Sequence, residues 1–299
     1  MTSQDVEAML LDLPERLAVR VLAPAFALAW ALAIDAGPLR AAETFSAKYQ
    51  VAWGHVTLAE AEVSHSYADD AYTLTGSGKT EGVFSLLFDW EGSARTEGLA
   101  AQGARRPLRH SNGGTSNGSR RVTRVDWLDD GRPRSKIDPP PDYSEVTPVP
   151  PESTIGTTDP FTVLLQVLDT LKTEGRCEAE AKVWDGRRRY DLVVRHLGTE
   201  ELAADRPWAY AGPSIKCALE VERIGGFRIK PPSWKPEDDT GERTIWAADL
   251  GDGLFVPVRA ELGTAFGTVV GRLKMPEDQT AEAKKPAPAQ QRPLRTNAR

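Results

Sequence analysis

The sequence has few of the residues that build metal and redox sites. It holds only two cysteines and four histidines in 299 residues. Two cysteines that lie far apart supply neither a Cys-x-x-Cys redox pair nor a four-ligand zinc set. The histidines show no ligand spacing to one another, so they are interpreted as core or solvated residues: His55, His65, His110 and His196. We therefore predict no metal and no cofactor.

Motifs of the common catalytic classes are also missing. There is no Gly-x-Ser-x-Gly nucleophile elbow. The stretch 76–80 (Gly-Ser-Gly-Lys-Thr) resembles the end of a phosphate-binding loop, but Thr73 stands where that loop needs glycine. It is interpreted as strand and turn. Carboxylates flank tryptophans at 89–91 and 126–127, an arrangement that suits glycan binding or acid catalysis, but no third feature converges on them. We expect ordinary strands there, and a protein that is not an enzyme.

Long apolar runs and strong charge are lacking too. The net charge of −6 argues against a nucleic-acid partner, which needs a basic face. The one notable apolar run, 21–34, follows Arg16 and Arg20 and is shorter than the roughly 20 residues of a membrane-spanning helix. This layout is typical of a cleavable signal peptide over residues 1–42, which predicts a periplasmic protein. An N-terminal anchor in the inner membrane is the alternative.

The remaining chain, 43–275, shows the alternation and the turn spacing that are typical of an antiparallel β protein. Apolar and polar residues alternate with period two, and Asp-Gly pairs at 130–131, 185–186 and 252–253 suit tight hairpins. The pattern predicts a mostly β fold, a curved antiparallel sheet or open barrel with meander order. Besides segments around Tyr49–Leu58 and Tyr72–Leu74, the predicted strands are 90–98, 104–112, 119–128, 213–223, 242–250, 254–262 and 265–274.

Residues 159–171 lack the alternation of a strand and are predicted to form an amphipathic helix. Asp159 is a good N-cap, Pro160 suits the first helical position, and Gly175 can end the helix. An apolar stripe runs along one face of 159–171, and we expect it to pack against the sheet. A partner surface is the less favoured use of this stripe.

Several stretches are predicted to be irregular. Residues 138–152 hold six prolines, and the region 138–158 divides a β half from a helix-plus-β half. The sequence leaves open whether the two halves share one sheet. Residues 112–118 are interpreted as a flexible hairpin tip, 230–241 as a polar loop, and 276–299 as a disordered tail.

Two sets of residues are candidates for special roles. In an oxidising compartment Cys177 and Cys217 form a disulfide, the alternative being two buried thiols. The Arg187 and Arg189 side chains on a predicted hairpin, with Trp234 in the polar loop, are candidate surface interaction residues. The default interpretation of the arginines is a solvated hairpin with cross-strand ion pairs.

A family resemblance rests on three features of the sequence. They are the opening Tyr49-x-Val51-x-Trp53-Gly54, the Asp159-Pro160 helix, and the block from Cys177 through Val183-Trp184-Asp185-Gly186-Arg187-Arg188-x-Tyr190. Together they resemble the bacterial envelope family named domain of unknown function 3108, over roughly residues 43–275. The resemblance implies an exported β-rich domain of Gram-negative bacteria. It transfers no catalytic residues, because the family has no agreed activity.

Three functions are compatible with these observations. The favoured one is a periplasmic binding or carrier module for a lipid-like or glycolipid ligand, with membrane contact peripheral at most. The second is an envelope assembly or interaction protein with a filled core. The third, ranked lowest, is a glycan or peptide hydrolase that uses carboxylates such as Asp89 or Asp185. The oligomeric state, the ligand and the cleavage point are not determined by the sequence.

Overall fold

A computed structural model describes residues 43–276, apart from 69, 102–103, 231–241 and 265–266. The predicted signal peptide, Trp234 and the predicted tail from 277 onwards lie outside the described residues. The described residues form thirteen strands and one α-helix. These are β1 (Glu43–Trp53), β2 (Val56–Ala68), β3 (Ala71–Thr80), β4 (Trp90–Ala101), β5 (Ala104–Ser116), β6 (Ser119–Trp127), β7 (Pro133–Asp138), α1 (Pro160–Glu174), β8 (Ala179–Trp184), β9 (Arg189–Leu202), β10 (Gly212–Gly225), β11 (Arg243–Asp249), β12 (Phe255–Thr264) and β13 (Gly267–Leu273).

All thirteen strands belong to one antiparallel sheet with the order β7-β6-β5-β4-β3-β2-β1-β13-β12-β11-β10-β9-β8. Each half is a meander in which chain neighbours pair, as the alternating pattern and the short turns predict. The halves join where the first strand pairs with the last, for example Tyr49 with Leu273. One continuous sheet therefore spans both sides of the proline-rich segment. The sheet is open, with β7 and β8 at its two edges.

The proline-rich connection between β7 and α1 covers part of the sheet edge. Thr158 bridges Val183 in parallel, and its carbonyl accepts a hydrogen bond from the Trp184 backbone N–H at 2.9 Å. Further upstream, Val146 bridges Arg228 beyond the end of β10. The Thr158 contacts give backbone groups of edge strand β8 a partner that the sheet itself does not provide.

Helix α1 begins and ends as the sequence predicts. Asp159 is the N-cap, Pro160 occupies the first helical position, and Gly175 ends the helix with φ of 68°. Its apolar stripe packs on both halves of the sheet. Phe161, Leu164 and Leu165 contact a cluster around Tyr72 and Leu74, whereas Val167, Leu168 and Leu171 contact a cluster around the two cysteines. The helix thus packs against the sheet, as predicted.

Cys177 and Cys217 form a disulfide with a Cα–Cα distance of 6.1 Å, in agreement with the prediction for this pair. Both residues are buried, together with Leu171, Val194 and Ala247. The bond joins the start of β8 to the middle of β10 and closes a loop that contains all of β9.

The structure differs from the sequence prediction at 112–118. Strand β5 continues to Ser116, and only Asn117 and Gly118 form the turn, both with positive φ (46° and 78°). Gly113 and Gly114 belong to the strand. Glycine suits these two positions because the neighbouring strands β4 and β6 approach closely where side chains would lie. Residues 76–80, in contrast, lie in β3 as predicted.

Candidate functional site

A buried polar network links the start of α1 to the inner face of the sheet, the face that the helix covers. The Asp159 carboxylate is fully buried. Its Oδ1 accepts hydrogen bonds from the backbone N–H of Phe161 at 2.9 Å and from Thr96 Oγ1 at 2.6 Å. The Thr162 hydroxyl donates to the other oxygen, Oδ2. Four donors therefore surround a carboxylate that caps the helix, the backbone N–H of Thr162 being the fourth.

His110 extends this network towards the β8–β9 turn. The Thr96 hydroxyl gives its one proton to Asp159, so it accepts from His110 Nδ1 at 2.8 Å. The Asn112 amide donates to the carbonyl of Asp185 at 2.9 Å and lies 3.2 Å from His110 Nε2, which therefore accepts. The neighbours of His110 thus assign its proton to Nδ1.

Tyr72 closes the network at the other end. Its hydroxyl lies 2.6 Å from Thr162 Oγ1, and the Arg105 guanidinium sits 5.2 Å from the ring centre. Burial raises the pKa of Tyr72 to about 12. Arg105 in turn pairs with Asp169 on the helix through both carboxylate oxygens, one of them at 2.9 Å.

This network positions the helix rather than forming a reaction site. Asp159 and Thr96 are fully buried, Tyr72 is 2% exposed and His110 is 3% exposed. A catalytic group has to reach its substrate within hydrogen-bonding distance. Side chains that are this deeply covered by α1 and the sheet instead fix the helix in place.

The β8–β9 turn packs its tip on the inner face of β5 to β7. The Asp185 carboxylate accepts from the backbone N–H groups of Arg187 and Arg188, at 2.7 and 2.6 Å, so it is used to build the turn. Gly186 has φ of 91°, and a Cβ added there would lie 2.1 Å from the Thr123 side chain. The specific Asp-Gly-Arg-Arg block is therefore explained by a close approach between the two ends of the sheet.

The two predicted surface arginines lie largely within the protein. Arg187 donates to Thr123 Oγ1 at 3.0 Å and to the backbone carbonyl of Asp138 at 2.9 Å. Arg189 is buried, at 3% exposed, rather than on the solvated face that alternation predicted, and it donates to the Ser153 carbonyl at 2.7 Å and to Asp191. The reason is the connection 139–158, which covers this face and which the strand pattern does not reveal.

The acid–aromatic pairs occupy separate places in the sheet. Asp126 accepts hydrogen bonds from Arg109 and Arg124, whereas the neighbouring Trp127 is buried on the opposite face. Asp89 lies in the turn before β4, where its backbone N–H donates to the Asn117 side chain at 3.0 Å. The described contacts therefore show cross-strand ion pairs and turn packing at these positions.

A groove lies on the outer face of the sheet, the face opposite α1. It has a volume of about 890 Å³. Directly paired residues of neighbouring strands face the same side of a sheet, so the registers define its floor as one cross-strand row, Ser77, Ser93 and Gly113 on β3, β4 and β5. Larger residues of the same row, Lys48, Glu62 and Val122, continue it on both sides.

Charged side chains of both signs surround this floor. Lys79 stands between Glu60 and Glu91 in the adjacent cross-strand row. Lys274 pairs with Glu60 at 3.0 Å, and Arg95 pairs with Glu97 at 2.9 Å. A second groove of about 380 Å³ adjoins along the same face and shares Thr75 and Arg95 with the first. The surface is thus a polar trough with hydroxyl groups at its base.

Sequence reasoning did not identify this groove. Its signal is weak, since each of the consecutive strands β3, β4 and β5 contributes only a small outward residue to it, such as Ser93 and Gly113. The histidines lie apart, and among the residues that the structure describes no group of three or more His, Cys, Asp or Glu is placed to hold a metal ion. Within the same ranges, no helix has the length and hydropathy to cross a bilayer.

One solved structure that aligns with this chain is a β-barrel-like protein of domain of unknown function DUF1849 from Brucella abortus. It aligns with a TM-score of 0.43 and 8% identity over 77% of this chain and 95% of that one. No curated protein matches. The family model described as protein of unknown function (DUF3108) matches residues 45–274, which is most of the chain, and the protein therefore belongs to that family.

Proposed function

We propose that this protein is a non-enzymatic binding module that holds a polar, hydroxyl-rich ligand, such as a glycan or the sugar headgroup of a glycolipid, in the outer groove. The observation that carries this proposal is the groove floor of Ser77, Ser93 and Gly113. Its volume of about 890 Å³ lies within the usual range of ligand sites. Serine hydroxyls both donate and accept hydrogen bonds, which suits a ligand with many hydroxyl groups.

The charged rim supports a ligand that is polar without one dominant charge. Glu62 and Glu91 can accept hydrogen bonds from sugar hydroxyls, and Lys79 and Arg95 can donate to hydroxyl or carboxylate oxygens. Because cations and anions alternate around the groove, neither sign builds a field that selects strongly charged ligands.

The inner face offers less support for a lipid tail. Leu165 of α1 is buried against the N-terminal half, and Leu171 is buried against the C-terminal half. The helix therefore occupies the position that an acyl chain would need, and we assign the ligand to the outer face. The periplasmic location and the carrier role remain predictions, with which the Cys177–Cys217 disulfide is compatible.

The packing of α1 favours a second candidate, the envelope interaction protein with a filled core. Its apolar stripe is used on both halves of the sheet, as that hypothesis requires. In this case a protein partner, rather than a glycan, would use the outer surface. Groove variants distinguish the two candidates, because only the first requires the groove to be open.

The test fills the groove and measures glycan binding. We expect Ser93→Trp to reduce binding of oligosaccharides by about tenfold or more, because a large ring displaces the ligand from the floor. Ser119→Trp, at an exposed position outside the groove, is the matched control and should bind within about twofold of the wild type. A glycan array identifies the probe, and native mass spectrometry measures its affinity. If the wild type retains no oligosaccharide, or Ser93→Trp binds as well as the wild type, the proposal is wrong.

A further inference from the structure

The connection between β3 and β4 presents an unusual set of exposed apolar side chains. Val83, Leu86 and Leu87 are 70%, 85% and 83% exposed, higher fractions than for any other large apolar residue of the described chain. All seven residues from Gly82 to Phe88 are uncharged. Exposed apolar clusters of this kind mark surfaces that meet another molecule or a membrane.

This apolar turn, residues 82–88, has a regular backbone held by hydrogen bonds. Residues Gly82–Leu86 form a 3-10 helix, and Gly82 adopts a φ of 63° that favours glycine. The Ser85 hydroxyl donates to the Gly82 carbonyl at 2.8 Å, and the backbone N–H groups of Leu87 and Phe88 both donate to the Phe84 carbonyl at 3.0 Å. The backbone therefore holds the leucines outward through specific hydrogen bonds.

Two tryptophans lie next to the apolar turn. The Glu81 backbone N–H donates to the Leu58 carbonyl at 3.0 Å, which places the turn beside the start of β2. Trp53, 45% exposed, ends β1 in the hairpin with β2, and Trp90, 37% exposed, follows Asp89 at the end of the turn, with its ring over Gly92. Tryptophan is enriched at the level of lipid headgroups, because its ring is apolar and its N–H is polar.

We infer that the apolar turn docks on a lipid bilayer, with Leu86 and Leu87 inserted below the headgroups. A stable protein interface uses roughly 20–30 residues on each side, many more than this turn presents. A bilayer accepts a small apolar tip without shape complementarity, provided that the tip carries no charge. Seven uncharged residues between Glu81 and Asp89 meet that condition.

The charges beside the turn indicate how lipid composition matters. Lys79, which is 61% exposed and pairs with Glu81 at 2.8 Å, and the exposed Arg120 both lie on the outer face at this end of the sheet, where phosphate groups of a docked bilayer can meet them. Glu91 lies between them in the same cross-strand row. We therefore expect apolar insertion to dominate, with a small gain from anionic lipid. These three charged residues also line the groove, but no residue of the apolar turn does, so either proposal can fail without the other.

The test places an environment-sensitive fluorophore on the apolar turn of the full-length chain. Both native cysteines are in the disulfide, so Leu87→Cys offers a single labelling site. Leu197→Cys is the matched control, a leucine on β9 that is 52% exposed. The probes are vesicles of phosphatidylcholine, with and without phosphatidylglycerol. We expect the emission at position 87 to shift to the blue and rise about twofold or more with both vesicles, as the label leaves water, while position 197 changes little.

Two further measurements make the result decisive. Nitroxide-labelled lipid should quench the label at 87 and spare the label at 197, also at high salt. Adding Val83→Ser and Leu86→Ser to the labelled chain should reduce the emission change by about twofold or more, because the turn loses one inserting leucine and one neighbouring exposed apolar side chain. Equal responses at 87 and 197, no response at either, or an undiminished response in the serine variant would each overturn the inference. Residues 1–42 are present in every chain, so their contribution is constant.

Discussion

The two halves of the sheet use their faces in opposite ways. In the N-terminal half, β1 to β7, the inner face beneath α1 is polar, with Tyr72, Thr96 and His110 tied to Asp159. In the C-terminal half, β8 to β13, the inner face is apolar and holds the disulfide. The helix therefore meets the N-terminal half through hydrogen bonds and apolar contacts together, and it meets the C-terminal half through apolar contacts around the disulfide.

The outer faces show the same contrast along one cross-strand row. In the C-terminal half Trp246 is 5% exposed, between Lys216 and Arg259, and Asp205 of the β9–β10 connection pairs with Arg259 and Arg272 above it. The row then continues from Gln50 on β1 into residues of β2 to β6 that line the groove: Glu60, Lys79, Glu91, Thr115 and Arg120. A covered face stabilises the fold, and an uncovered face of the same sheet leaves room for a ligand.

The largest expected effect tests whether the polar inner face stabilises the N-terminal half. We expect Asp159→Ala to lower the free energy of unfolding by about 4–5 kcal/mol, because four buried donors lose their acceptor at once. Asp159→Asn, which keeps one oxygen acceptor, should lose about half as much. Urea unfolding measures both. A loss below about 1 kcal/mol for the alanine variant would show that the network is not needed for stability.

The same carboxylate predicts a dependence on pH. Burial opposes the ionisation of Asp159, but the neighbouring His110 and the hydroxyl groups of Thr162 and Thr96 outweigh it, so the pKa of Asp159 lies below the ordinary 3.8. A lowered pKa contributes stability that is present above about pH 4 and is lost as the pH falls through the folded-state value. The acid loss of unfolding free energy should therefore be smaller in Asp159→Asn. Equal acid curves for both proteins would contradict this assignment.

The next effect compares the two outer faces directly. Trp246→Ala should lower the free energy of unfolding by about 3–4 kcal/mol, because a buried ring and its two cation contacts are removed. Ser93→Ala, on the groove floor, should change it by less than about 0.5 kcal/mol. Thermal and urea unfolding of the two variants give the comparison. Similar losses for both would show that the groove floor is part of the core.

The third effect concerns the covalent link of the C-terminal half. The disulfide closes a loop of 40 residues, and its removal in Cys177→Ala/Cys217→Ala should cost about 4 kcal/mol, mainly through the entropy of the unfolded chain. Hydrogen exchange should show the largest loss of protection in β9 and β10. Reduction of the wild type in urea serves as the control that keeps both side chains. Uniform loss over β3 to β5 as well would mean that the halves unfold as one unit.

The features that could be predicted from the sequence are those that depend on residues close together in the chain. The strands and α1 follow from local patterns, since alternation, Asp-Gly turns and the Asp159 cap act over a few residues. The pairing of β1 with β13 has no local signal, because it joins the two ends of the domain. Asp159 was identified as a cap, but its partner Thr96 lies 63 residues away on β4, beyond any local pattern.

The groove and the burial of Arg189 could not be predicted from the sequence, because both depend on contacts between distant parts of the chain. A groove floor is a row across strands, so it depends on the register of β3, β4 and β5 rather than on any single strand. Arg189 stands at an alternating position that predicts solvent, but the connection after β7 covers it through the Ser153 carbonyl. Local periodicity determines which side a residue faces, and only the tertiary fold determines what lies on that side.

The smallest expected effect examines the edge of the polar network, at Tyr72. Tyr72→Phe removes the hydroxyl beside Thr162 and should lower the free energy of unfolding by about 1 kcal/mol at neutral pH. Burial raises the pKa of Tyr72 from 10.0 to about 12. A raised pKa contributes stability that is complete below pH 10 and is lost as the pH rises towards 12, because the unfolded chain ionises first. The variant should therefore lose less stability than the wild type between these values.

Tyr143→Phe, at a residue that is 60% exposed, is the control and should keep the wild-type alkaline slope. An unchanged slope in Tyr72→Phe would place the alkaline sensitivity elsewhere, and the inner faces of the two halves would then differ less than their hydrogen bonds indicate.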